Sequence, residues 1–187
     1  GVAVGNFGGG ALEIALSWHE AGRGIEVLTV PGNPATSPWS VRQLMKSGGQ
    51  PVTSQDEALS AGDIDRDGDM DLLLGTIWLE RNGSNWIERP LTSPTGTPDR
   101  NELADIDQDG RLDAVVGYEA ISANGTLAWY EQPAVATSLW SGRVIAVGTT
   151  SARALESAVF KLAVDAEAAI PSPTAIDTAL VATSFWA

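Results

Sequence analysis

Apolar and polar positions alternate along this chain in short runs, set off from one another by Gly, Asn, Asp or Pro. Such runs predict strands. The first group is Val2–Asn6, Leu12–Trp18, Gly24–Val30 and Trp39–Leu44. The second is Ala58–Asp63, Asp71–Thr76, Ile77–Arg81 and Trp86–Leu91. The third is Glu102–Asp105, Leu112–Tyr118, Leu127–Glu131 and Arg143–Val147. Two more follow, Ala158–Val164 and Asp177–Phe185. Asn82-Gly83 and Asn124-Gly125 predict tight turns between the third and fourth strands of their groups. The second strands Leu72-Leu73-Leu74 and Ala114-Val115-Val116 are unbroken apolar runs, as suits strands covered on both faces. Helix is almost absent: Thr150–Leu162 alone has a helical alternative, and its Val159 and Phe160 count against it.

The groups are copies of one another. Trp-x-x-Arg recurs at Trp39/Arg42, Trp86/Arg89 and Trp140/Arg143. An acidic run, Gly62-Asp-Ile-Asp-Arg-Asp-Gly-Asp-Met-Asp71, recurs as Ala104-Asp-Ile-Asp-Gln-Asp-Gly-Arg-Leu-Asp113. Degenerate copies lie at Gly5-Asn-Phe-Gly-Gly-Gly-Ala-Leu-Glu13 and around Asp165 and Asp177. Units of four short strands repeating every ~40–50 residues read as β-propeller blades. The expectation is an all-β chain, one partial propeller over 1–187. Blade 1 covers about 1–50, blade 2 about 51–96, blade 3 about 97–150 and a partial blade 4 about 151–187. About three and a half blades do not close a ring of the usual ~4–8. The unpaired edges this leaves imply a larger propeller, or one completed by another chain.

Charge narrows the partners. A net charge of −13 with no Lys/Arg cluster argues against nucleic acid. No apolar run reaches transmembrane length. With no cysteine, disulfides and thiolate chemistry are excluded, and His19 is the only imidazole. The opening Gly1–Gly10 stretch has neither a basic n-region nor an h-region of a signal peptide. Gly8-Gly9-Gly10 lacks the Lys-Ser/Thr of a phosphate loop.

The acidic runs carry the clearest chemistry. In Asp-x-Asp-x-Asp-Gly-x-x-Asp, the carboxylates at positions 1, 3 and 5 converge on one point and the Gly at 6 permits a sharp turn. Hard Ca²⁺ takes about six to eight oxygen ligands, and this spacing supplies most of them. Without a cation these carboxylates repel one another. An EF-hand would need a Glu at position 12, where Leu74 and Val116 stand, so that motif is rejected. Two structural Ca²⁺ sites are therefore expected. One uses Asp63, Asp65, Asp67, Asp69 and Asp71; the other uses Asp105, Asp107, Asp109, Arg111 and Asp113. Asp69 and Arg111 would contribute only their backbone carbonyls.

These residues, with Gly5-Asn-Phe-Gly8, resemble the FG-GAP or VCBS repeats of integrin-α-like propellers over most of residues 1–147. The resemblance implies a Ca²⁺ loop between the first and second strands of a blade. It also implies a secreted or cell-surface protein that recognises glycan or protein ligands. Similar propellers occur in polysaccharide lyases and sugar dehydratases, and an enzyme of that type is the alternative function. Its acid/base candidates would be His19, Glu20, Tyr130 and Glu131. An assembly scaffold, completed by other chains, is a third reading. Trp18, Trp78 and Trp129, each followed by an acid two residues on, suit packing between blades. Trp-x-x-Arg reads as a cation–π pair or an edge-strand feature. Asn82 and Asn124 head glycosylation sequons.

Overall fold

The computed structural model of the chain describes residues 1–52, 57–92, 98–118 and 125–148. Among them are twelve strands and no helix. Sheet I comprises β1 (Val2–Gly5), β2 (Glu13–Leu16), β3 (Glu26–Thr29) and β4 (Ser40–Gln43). Sheet II comprises β5 (Leu59–Gly62), β6 (Asp71–Leu74), β7 (Ile77–Asn82) and β8 (Asn85–Pro90). Sheet III comprises β9 (Pro98–Ala104), β10 (Asp113–Tyr118), β11 (Gly125–Glu131) and β12 (Ser141–Gly148). Each sheet is an antiparallel meander in chain order, and none closes on itself.

Every one of these strands overlaps the stretch expected for it. The largest difference is β9, which starts at Pro98 rather than Glu102. Its early residues Asp99, Arg100 and Asn101 are polar, and the neighbouring sheet satisfies the last: Asn101 accepts from Ser60 Oγ at 2.6 Å and donates to the Leu73 carbonyl at 3.2 Å. The β7–β8 turn uses Gly83-Ser84 as its two central residues, since Asn82 pairs with Asn85, one position later than Asn82-Gly83 implied. Gly83 takes φ 62, the left-handed value that hairpin turns need. The strands expected at Ala158–Val164 and Asp177–Phe185, the Thr150–Leu162 alternative, Asp165 and Asn124 lie outside the described residues.

The sheets stack face to face. Strand alternation gives each sheet a front and a back. The front of sheet I (Ala3, Ala15, Val27) packs on the back of sheet II (Leu59, Leu72, Leu74, Leu79, Trp86). The front of sheet II (Leu73, Trp78) packs on the back of sheet III (Leu103, Ala114, Val116, Ala128, Tyr130). This explains the unbroken apolar run in β6, whose four residues are all buried. Hydrogen bonds between backbones also stitch the outer edges. Trp86 donates to the Met45 carbonyl at 3.0 Å and Trp140 to the Leu91 carbonyl at 2.7 Å. At the opposite edge, first strand β5 lies beside both β1 and β9.

Of the two readings of Trp-x-x-Arg, the edge-strand one holds, since β4, β8 and β12 each lie at an edge of their sheet, while a cation–π pair within the motif fails for a geometric reason. Trp and Arg of Trp-x-x-Arg are three residues apart on a strand, so they face opposite sides and cannot stack on each other. Trp86 enters the core toward sheet I, while Arg89 pairs with Glu80 on the front. Among the described residues the cation–π contacts are Arg143, the arginine of the third motif, over Trp129 at 4.9 Å and Arg23 over Trp18 at 3.9 Å.

Candidate metal centre

Each acidic loop joins the first and second strands of its sheet and is closed by the ladder, Gly62 opposite Asp71 and Ala104 opposite Asp113. The two loops then fold by the same hydrogen bonds. Asp63 Oδ2 accepts from Gly68 N at 3.1 Å, and Asp105 Oδ2 from Gly110 N at 2.8 Å. Asp65 and Asp107 each accept from the amide two residues on, at 3.2 Å. Asp67 and Asp109 do so at 2.8 Å. The closing acids cap the turn: Asp71 accepts from Ile64 N at 2.9 Å and Arg81 N at 2.8 Å, and Asp113 from Ile106 N at 3.2 Å and Gln132 N at 2.9 Å. Side-chain bonds of this kind hold the local backbone without a helix or ladder. Gly68 and Gly110 take φ 91 and 86, as position 6 requires. Position 4 is also left-handed, at Arg66 and Gln108, a conformation that non-Gly residues adopt infrequently.

The expected ligands converge in part. Carboxylate oxygens of Asp63, Asp65 and Asp71 lie within 4.8 Å of one another, as do those of Asp105, Asp107 and Asp109. Asp69 turns its side chain to Arg81 at 3.0 Å. Arg111 pairs with Asp109 and donates to the Gln132 carbonyl at 3.0 Å. Asp67 and Asp113 stand outside the two closest groups.

Whether a cation suits the loops is tested by the oxygens left over. Asp63 Oδ1 and Asp105 Oδ1, at the same first position of each loop, are buried without a hydrogen-bond partner. An orphaned carboxylate oxygen is costly, and a cation in the loop is the natural partner for it. An all-oxygen donor set suits a hard divalent ion. The residues therefore fit a hard divalent ion such as Ca²⁺, which Asp63, Asp65 and Asp71 would hold in one loop and Asp105, Asp107 and Asp109 in the other.

Electrostatics agree with that fit. Burial pushes the Asp71 carboxyl up to about 7, and burial also raises Asp113. Asp65 is raised by burial and then by the Asp67 carboxylate beside it. A folded-state value above the unfolded one (about 4) means that the folded chain binds protons more tightly. Without a cation, the contribution of these carboxyls to stability is therefore fully present below about pH 4 and is lost as pH rises through their folded values, about 7 for Asp71. Melting curves in chelator should give a higher midpoint at about pH 5 than at about pH 8, with calcium reversing the order. A chelated midpoint that climbs with pH over that window counts against the buried-carboxylate account.

The loops are joined to one another. The Arg66 side chain donates to the Gly110 carbonyl. Gln132, buried at 2% exposure, holds Asp113 with its backbone amide and donates its side chain to the Ile64 carbonyl at 2.6 Å. Sequence reasoning passed over Gln132, because a lone Gln after a strand carries no pattern.

In the degenerate first copy, Glu13 occupies the closing position opposite Gly5, in a loop one residue shorter. Its side chain is 0% exposed. It accepts from Phe7 N at 2.8 Å and Gly9 N at 3.2 Å. Arg42 Nη2 lies 3.0 Å from both its oxygens and 2.8 Å from the Phe7 carbonyl.

Of the acid/base candidates, His19 and Glu20 lie in the loop after β2 and Tyr130 and Glu131 on β11. His19 pairs with Glu57 at 3.1 Å and Glu20 with Arg23 at 3.1 Å, both exposed beside sheet I. Tyr130 and Glu131, on β11, face opposite sides. The Tyr130 hydroxyl is buried against that of Tyr118 at 2.5 Å, and Glu131 pairs with Arg143 at 2.8 Å. Asn82 of the first sequon is exposed at the end of β7. Comparison with protein-family models, curated proteins and solved structures returned no match for this chain.

Proposed function

We propose that the chain is a calcium-stabilised portion of a β-propeller that serves extracellular recognition of a glycan or protein ligand, without catalysis of its own. The observation that carries the calcium part is the pair of orphaned oxygens, Asp63 Oδ1 and Asp105 Oδ1, inside two loops with one hydrogen-bond pattern. Three sheets stacked front to back, with first strands adjacent, support the propeller part. So does the back of sheet I, where Val2, Val4 and Val41 are exposed beside half-buried Ile14, Leu16 and Leu28. At the positions that match Ile14, Leu16 and Leu28, sheet II has buried Leu72, Leu74 and Leu79 and sheet III buried Ala114, Val116 and Tyr130, so in a propeller a further sheet lies here. Recognition rests on the resemblance to FG-GAP repeats. The separation of His19 and Glu20 from Tyr130 and Glu131 favours it over a lyase or dehydratase.

Calorimetric titration of the chelated protein tests the metal, and a glycan array probed with calcium-loaded protein tests the ligand. Two Ca²⁺ per chain and calcium-dependent glycan retention are expected. No calcium uptake counts against the metal. A blank array together with an unsaturated product from a polysaccharide shifts the reading to the enzyme.

A further inference from the structure

The three sheets place the same three positions together, and the occupants differ in a way that assigns them roles. The first position is the closing acid: Glu13, Asp71 or Asp113. The second lies opposite it on the third strand. It is Thr29 in sheet I, from the pair Glu13–Thr29. It is Glu80 in sheet II and Glu131 in sheet III, one step beyond the pairs Leu72–Leu79 and Ala114–Tyr130. The third is the fourth-strand arginine, Arg42, Arg89 or Arg143, whose pairs are Val27, Trp78 and Trp129. All three positions share the front face.

Where the third strand offers Glu, the arginine is held there. Arg89 Nε lies 2.6 Å from Glu80, and Arg143 Nη2 lies 2.8 Å from Glu131. Where it offers Thr29, the arginine crosses to the loop. Arg42 occupies both oxygens of Glu13 and the Phe7 carbonyl, and Thr29 adds only a hydroxyl at 3.4 Å from Glu13. The loop that receives the arginine is the one that has lost the alternating carboxylates. A guanidinium there supplies fixed positive charge to the degenerate loop, the role that the proposed function gives to calcium in the other two loops.

We infer that Glu80 and Glu131 are positioning residues that keep Arg89 and Arg143 out of the acidic loops, so that the third-strand residue decides whether a loop takes a divalent cation or its own arginine. This rests on the calcium reading above. Glu80 is also close enough to Asp65 to raise that carboxyl electrostatically, so a direct part in cation binding is the competing account.

The test is calcium titration of the full chain by calorimetry, with melting curves in calcium and in chelator, on wild type, Glu80→Thr and Glu80→Thr with Arg89→Met. Glu80→Thr frees Arg89 to enter the loop. It should lower the stoichiometry from two to one, or weaken one site at least tenfold, and shrink the gap between the calcium and chelator midpoints. Removing the arginine as well should restore the second site. Glu80→Thr with two unchanged sites overturns the inference. A double variant still at one site, with its fold intact by circular dichroism, also overturns it and makes Glu80 a ligand. A wild type that takes up no calcium overturns both this inference and the reading beneath it.

Discussion

Chelation is expected to lower the melting temperature of this chain by roughly 10–20 °C relative to saturating calcium. The estimate follows from linkage. A ligand that binds only the folded state, at one hundred times its Kd, adds about 2.7 kcal/mol per site, so two sites add about 5 kcal/mol. In a chain of this size each kcal/mol moves the midpoint by ~2–4 °C. Extracellular calcium modules bind with Kd of about 10⁻⁴–10⁻³ M, so about 10 mM calcium approaches that regime for the tighter sites. The controls are Asp63→Asn and Asp105→Asn. Each keeps a side-chain oxygen to accept from Gly68 N or Gly110 N but removes the charge that faces the cation. Each should erase about half of the calcium-dependent shift, and the double variant nearly all of it. Equal midpoints for wild type in calcium and in chelator would rule out a structural calcium in both loops.

The strands were legible because their signal is local. Alternation and turn residues are read within a few positions, and the unbroken runs at Leu72–Leu74 and Ala114–Val116 announced burial on both faces before any neighbour was known. The acidic loops were legible for the same reason: their ligand spacing and the required Gly68 and Gly110 lie within nine consecutive positions. What the sequence hid depends on alignment between strands far apart in the chain. Arg42 is 29 positions from Glu13, and Gln132 is 68 from Ile64. Neither pair has a spacing that a linear pattern can test. Trp-x-x-Arg was legible in part. It is a true repeat on edge strands, as one of its two readings expected, but Arg89 acts on the front and Trp86 on the back, so the two do not stack on each other. The left-handed Arg66 and Gln108 carried no signal either, since their side chains do not disfavour that backbone less than most others do.

Arg42→Met should destabilise the chain by about 3 kcal/mol, and calcium should not restore the loss. Glu13 is fully buried on the front of sheet I, and Arg42 is its only charged partner among the described residues. Removing one member of a buried pair leaves the other as an uncompensated charge, which typically costs ~3–5 kcal/mol. The low end applies because the Arg42 side chain is itself 38% exposed and water can partly replace it. The Phe7 carbonyl loses its donor in the same substitution. Arg42→Lys should fall between, since an ammonium keeps the charge but cannot span Glu13 and the Phe7 carbonyl with one planar group. The decisive comparison is Arg42→Met with Glu13→Met. If the penalty is an unpaired buried carboxylate, the double variant is more stable than Arg42→Met alone, because the charge goes with its partner. Urea unfolding of the three variants in calcium measures this. A double variant less stable than the single one would mean that Glu13 holds the loop chiefly through Phe7 N and Gly9 N, with Arg42 incidental to it.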